Sequence, residues 1–217
     1  MPATLLDLYC ERVGPGLWAE PMNASSNIAF FLAAWAVWRL VRRVGPQSPD
    51  VWLLFALLVT IGVGSSLFHT FATWWARILD AGPILLFQLW YVWLYCRELI
   101  KMRRGYAAGL LVGFVVGAYL GRQFPQILNG SLIYAPASLL VVALGVYHAR
   151  TQARERFLLL GAAGVFLVAF FFRTIDNAVC PSFPTGTHFL WHLLVPVVLY
   201  LSVRGLLLSL PRPLPAA

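Results

Sequence analysis

The chain has 217 residues, of which 60% are hydrophobic and 11% charged, with a formal net charge of +8 and a mean hydropathy of +0.77. Such a composition excludes a soluble globular domain, which needs far more polar surface to stay in solution. It also argues against nucleic-acid binding, because the basic residues stand in short clusters between apolar runs, the pattern by which membrane proteins fix their orientation.

The first twenty residues are polar and acidic (Asp7, Glu11, Glu20). No basic stretch precedes an apolar core, so no cleavable signal peptide is expected. Seven apolar runs follow, near 24–43, 51–71, 78–97, 106–121, 132–149, 156–173 and 187–209. A helix crossing the bilayer takes roughly 20 residues, or about 17 at the short end, and all seven runs approach or exceed this. The fourth is the shortest and is rich in glycine. The connections are brief and carry Gly45-Pro46, Arg103-Arg104-Gly105 and Asn129-Gly130. With no linker, low-complexity tract or internal repeat, residues 1–217 are expected to form one domain, an all-α membrane protein built as a seven-transmembrane helix bundle.

Seven spans put the termini on opposite sides. One side receives Arg39, Arg42, Arg43, Arg97, Lys101, Arg103, Arg104, Arg150, Arg154, Arg156, Arg204 and Arg212, and the other only Arg12, Arg77, Arg122 and Arg173. Lys and Arg in short loops stay cytoplasmic. The N-terminus, with residues 1–23 as an extracytoplasmic segment, is therefore expected outside and the C-terminus in the cytoplasm. The Ala/Leu/Arg/Gly-rich composition points to a bacterial inner membrane, with the outer face toward the periplasm.

In this topology Asp7, Glu11, Glu20, Asp80 and Asp176 gather on the outer side together with His69, His188 and His192. Ser65 lies one turn deeper than His69 on the same face of the second span. Its hydroxyl can hold a developing oxyanion or bond back to the carbonyl four residues earlier. Gly62 and Gly64 allow close helix approach. Asp80, just before Gly82-Pro83, is placed either to cap the third helix or to serve as general base and acid. Cys96 reads as a free thiol at the inner end of the third span, and His148 as an interfacial side chain at the inner end of the fifth. Tryptophans 18, 74, 75 and 191 mark the outer interface, and 38 and 52 the inner one.

His188 and His192 are four residues apart, so one helical face presents both imidazoles. His69 offers a third at similar depth from another helix. Three neutral imidazoles that leave a fourth position open form a catalytic zinc arrangement, in which a bound water ionises near neutral pH. Pro196 cannot donate to the His192 carbonyl, so the seventh helix is expected to kink there, opening the bundle beneath the histidines or merely tolerating the proline. Cys10 and Cys180 both fall outside, where an oxidising compartment permits a disulfide.

Three blocks of residues carry a resemblance. They are Tyr9-Cys10-Glu11 with Glu20-Pro21, Asn23 and Ser26-Asn27; Gly62-Val63-Gly64-Ser65 with Phe68-His69, Asp80 and Pro83; and Asp176-Asn177, Cys180, His188 and Trp191-His192. In order and in topology the chain resembles the alkaline ceramidase family, seven-span amidases within a wider superfamily of membrane metallohydrolases. The resemblance implies zinc on His69, His188 and His192, and catalytic roles for Ser65 and Asp80. It implies a Cys10–Cys180 disulfide and a calcium site with ligands at Glu11 and Glu20. At three positions the chain departs from the pattern. Leu8 stands where the family usually has aspartate, Val13 where it has an asparagine, and Ala81 where an acidic residue follows the aspartate.

The activity expected from this resemblance is zinc-dependent hydrolysis of the amide bond of a ceramide-like lipid, yielding a sphingoid base and a fatty acid, with the membrane lipid and the surrounding bilayer as partners. Two relatives in the superfamily define the alternatives: an enzyme that cleaves ester-linked lipids, and a seven-span receptor whose zinc is structural.

Overall fold

The computed structural model describes residues 5–45, 48–152 and 154–210. Arg212, which entered the charge count, and Pro46 of the first connection lie outside these residues. Among the described residues there are only helices and their connections. Seven helical segments are long and apolar enough to cross a membrane: Pro21–Val44, Pro49–Phe71, Trp74–Leu99, Arg104–Arg122, Ile127–Thr151, Leu158–Val179 and His188–Ser209.

The first segment is two helices, α1 (Pro21–Ser26) and α2 (Ile28–Val44), parted at Asn27. Helix α3 (Pro49–Phe71) begins with proline in its first turn, where a missing N–H costs nothing. It stops at Ala72, whose φ of 47° is left-handed and whose N–H closes on the Phe68 carbonyl. Helix α4 (Trp74–Leu94) continues as a π-helical turn over Tyr95–Leu99. The glycine-rich fourth run is a full helix, α5 (Arg104–Arg122). The fifth span opens with a 3₁₀ stretch, Ile127–Tyr134, in which Leu128, Asn129 and Gly130 are left-handed, and then runs as α6 (Ala135–Thr151). The Asn129-Gly130 pair expected in a connection thus belongs to the start of that span. Helices α7 (Leu158–Val179) and α8 (His188–Ser209) complete the bundle.

Each span packs on the next in sequence, and α2 packs on α8, so the seven close into a ring. Two glycines of α3 permit close approaches. A Cβ on Gly62 would meet Phe30 Cβ at 2.9 Å, and one on Gly64 would overlap the Leu79 carbonyl. The α3–α4 hairpin is thereby drawn to backbone contact at the level of Ser65 and Asp80. This bears out the close approach expected of both glycines.

The structure corrects several expectations. Helix α4 starts at Trp74 with Thr73 before it, so Asp80 lies nearly two turns inside the helix and does not cap it. Helix α7 extends to Val179, which carries Asp176 on the helix, fully buried, where an outer loop was expected. Trp191 is buried among Tyr134 and Phe166 and is no interfacial anchor, because positions 188, 191, 192 and 195 share the inward face of α8. His148 is likewise not interfacial. It is completely buried, with Nδ1 2.9 Å from the Tyr95 hydroxyl. Helix α8 runs on as α-helix through Pro196. Cys96 is a buried free thiol, as expected.

Candidate metal centre

The last turn of α3 and the first two turns of α8 bring three imidazoles together. His69, His188 and His192 are 1%, 2% and 2% exposed. Their ring centroids are separated by 5.3 Å (69–188), 4.6 Å (69–192) and 4.6 Å (188–192). One nitrogen from each lies within 4.8 Å of the others, the one cluster of metal-ligating side chains found among the described residues. Tetrahedral coordination at about 2.0–2.1 Å places such donors about 3.3 Å apart, a modest contraction of this arrangement.

The tautomers follow from the partners. His69 Nδ1 stands 2.5 Å from Glu20 Oε2, and a carboxylate only accepts, so Nδ1 carries the proton and Nε2 is left for a ligand. His192 Nδ1 is 3.0 Å from Ser26 Oγ, whose own hydroxyl donates to the Asn23 carbonyl at 3.0 Å. His192 therefore also donates from Nδ1 and keeps Nε2 free. Such hydrogen bonds fix ring orientation and raise ligand basicity. His188 is held differently, stacked on the Tyr9 ring at 3.7 Å and 13°, with its buried Nδ1 lacking a partner. A donor set of three buried imidazoles, two oriented and one with an orphaned nitrogen, fits a bound metal.

The N-terminal segment roofs this cluster. Cys10 and Cys180 are joined by a disulfide, as the resemblance implied. Leu6 N–H donates to the Ala72 carbonyl at 2.8 Å. Asp176 gathers the remaining ends: it accepts from Cys10 N–H at 3.0 Å, Thr187 N–H at 2.7 Å and His188 N–H at 2.9 Å. A carboxylate at the start of α8 satisfies orphan donors and complements the helix dipole. Gly186 is required beside it. Its φ is +65°, and a Cβ there would run into the Asp176 carboxylate and Cys10.

Burial pushes the Tyr9 phenol up to about 12, against the pull of the Arg173 guanidinium. Burial also raises Glu11, although backbone N–H groups of Asn23 and Met22 oppose it. Burial works in the same direction on Glu20. There the hydrogen bond to His69, its charge and the Arg12 guanidinium more than offset it, and the carboxyl is held below its usual range.

Every carboxylate oxygen of Glu11 and Glu20, the residues matched to calcium ligands, already accepts a hydrogen bond within the segment. Glu11 accepts from the Met22 and Asn23 backbone N–H groups at 2.6 and 2.8 Å, closing the start of α1. Glu20 is taken up by His69, the Asn23 side-chain amide at 3.1 Å, and Arg12. Calcium seeks six to eight oxygen ligands. The side-chain oxygens wholly without a partner beside them are two neutral amides, the buried Asn23 Oδ1 and Asn27 Oδ1, and the Arg12 guanidinium stands on Glu20 where a cation would bind. The site does not fit that ion.

Ser65, 3% exposed, lies within hydrogen-bonding reach of the Asp80 carboxylate across the α3–α4 contact. One turn deeper, Ile61 and Ile84 begin a cavity that continues past Phe87, Trp191, Val195 and Leu199. Its few polar liners are Gln88, Tyr91 and Ser202.

Sequence reasoning missed the groups that hold the ligands. Tyr9, Ser26 and Asp176 were noticed as motif members without roles. Arg12 and Arg173 were noticed only as outer charges, although Arg173 is 7% exposed, bonds Ser131 Oγ at 2.6 Å and faces the Tyr134 ring. A buried arginine inside an apolar span was the available signal. The sequence model of the family described as Ceramidase matches residues 9–209.

Proposed function

This chain belongs to the ceramidase family, a family of metal-dependent hydrolases, and on that premise we propose that the whole chain acts as one zinc-dependent amidase domain on ceramide-like lipids. The observation that carries this reading is the position of the Ser65–Asp80 pair between three clustered imidazoles and an apolar cavity one turn below. His69, His188 and His192 would hold the zinc. Held by three neutral imidazoles, zinc supplies a Lewis acid and lowers the pKa of a bound water toward neutrality.

The remaining work falls to the chain. The cavity takes part of an acyl chain and so presents the amide at the level of Asp80. Asp80, as a carboxylate, accepts a proton from the attacking water and delivers it to the departing sphingoid amine. Ser65 has one hydroxyl proton, which in the resting site is spent on Asp80. Once Asp80 is protonated it becomes the donor to Ser65 Oγ, and the serine proton turns to the carbonyl oxygen as negative charge develops there. Ser65 and Asp80 thus exchange donor and acceptor roles during the reaction. The distribution of Lys and Arg supports an orientation with this site on the extracytoplasmic face of a bacterial inner membrane.

The test is incubation of the purified chain with a panel of ceramides, N-acylated amines and ester lipids, with metal content measured alongside. Release of fatty acid from ceramides is expected. Turnover confined to ester lipids overturns the amidase reading, and zinc without turnover of any lipid points to the receptor alternative. Asp80→Asn should keep wild-type zinc content while kcat falls at least about 100-fold, the usual scale of a lost general acid–base. An Asp80→Asn enzyme with normal kcat removes the proposed proton carrier.

A further inference from the structure

Arg12 is the one Lys or Arg of residues 1–23, and its side chain is 0% exposed. Its Nε donates to Glu20 Oε1, its Nη1 to the Gly14 carbonyl at 3.2 Å and its Nη2 to the His69 carbonyl at 2.9 Å. The His69 carbonyl is among the last four of α3, which no helical N–H can reach, and a cation there is further favoured by the helix dipole. His69 is therefore held twice by the same guanidinium. Its backbone is held directly, and its ring is held through the other oxygen of Glu20. A chain of guanidinium, carboxylate and imidazole thus ends at a metal-ligand nitrogen.

Arg12 already neutralises Glu20, one of the two carboxylates of this pocket. Glu11 is spent on the start of α1 and Glu20 on Arg12, His69 and Asn23. Leu8 and Val13 supply no side-chain oxygen at the positions where the family pattern has one. A divalent cation would have to enter against a buried positive charge and compete for carboxylates already held by Arg12, His69 and backbone N–H groups.

We propose that Arg12 is the resident cation of this segment: it makes a calcium ion unnecessary in this chain and is a positioning residue that presents His69, through Glu20, to the metal. The second half of this inference rests on the three-histidine metal reading.

The experiment uses the full chain in detergent. Wild-type protein dialysed against calcium should retain no stoichiometric calcium, and its Tm should not move when calcium is added. One bound calcium per chain with a rise in Tm overturns the proposal. Cobalt in place of zinc then reports on His69 through its visible d–d absorption. Arg12→Ala should weaken cobalt binding about 10–100-fold, the usual effect of losing a ligand-orienting partner, and shift that absorption. Arg12→Lys, which keeps the charge but not the fork, should recover part of both. An Arg12→Ala chain with wild-type cobalt affinity and spectrum refutes the positioning role. Should Arg12→Ala fail to fold, Arg12→Lys and the calcium measurement still decide. A wild-type chain that takes up neither zinc nor cobalt sinks the metal reading instead, and the calcium measurement continues to judge Arg12.

Discussion

Replacing His69 with alanine should abolish both bound zinc and fatty-acid release. His188 and His192 remain as an i, i+4 pair on α8, but two imidazoles cannot close a tetrahedral site and leave it one open position. Losing even an outer-sphere partner typically costs 10–100-fold in affinity or activity, so losing a ligand should cost more than about 100-fold in both. The fold should survive, because Glu20 keeps Arg12 and Asn23 as partners once the imidazole is gone. Zinc stoichiometry by mass spectrometry and fatty-acid release, measured on the same preparation with its Tm, separate the two consequences. Undiminished turnover in a zinc-free His69→Ala chain would show that the histidines are not the reaction centre.

Asp176→Ala should be the most destabilising single change in the half of the bundle that holds the histidines. Three backbone donors, Cys10, Thr187 and His188, lose their acceptor at once, the last two in fully buried hydrogen bonds. Each buried unsatisfied group costs about 1–3 kcal/mol, so a total on the order of 3–5 kcal/mol is expected. The first turn of α8 should fray, and zinc should weaken with it because His188 is the first residue of that helix. Asp176→Asn tests the account more finely. Its one amide oxygen can still serve Thr187 and His188, while its NH₂ faces the Cys10 N–H donor to donor, so the loss should be smaller than for alanine. Equal Tm values for Asp176→Ala and wild type would remove Asp176 as the anchor.

The spans and the histidine triad were legible because each rests on a local rule. Apolar run length marks a crossing, and an i, i+4 pair marks one helical face. His69 joined the pair only because span counting put it at the same depth. The supporting groups were not legible for the converse reason. Glu20 meets His69 across 49 positions, Ser26 meets His192 across 166 and Cys10 meets Asp176 across 166. Trp191 and His148 show a second limit. Run ends give depth along the membrane normal but say nothing of which way a side chain turns around its helix. Helices α3 and α8 are apolar on nearly every side, so no periodicity marks the buried face. Helix α8 was thus correctly bounded while its Trp191 was turned the wrong way.

The roof over the histidines is stitched at the disulfide, at Asp176, at the Leu6–Ala72 backbone bond and at Arg12. A seam with so many stitches is a poor door. For the proposed two-chain substrate, the route expected to the Ser65–Asp80 level is therefore sideways, within the plane of the leaflet, between spans. The roof's task becomes keeping bulk water out while lipid slides in beneath it. Reducing the Cys10–Cys180 bond should accordingly lower Tm yet leave KM for a bilayer-embedded substrate unchanged, and a marked fall in KM on reduction would mean that the entrance is overhead after all.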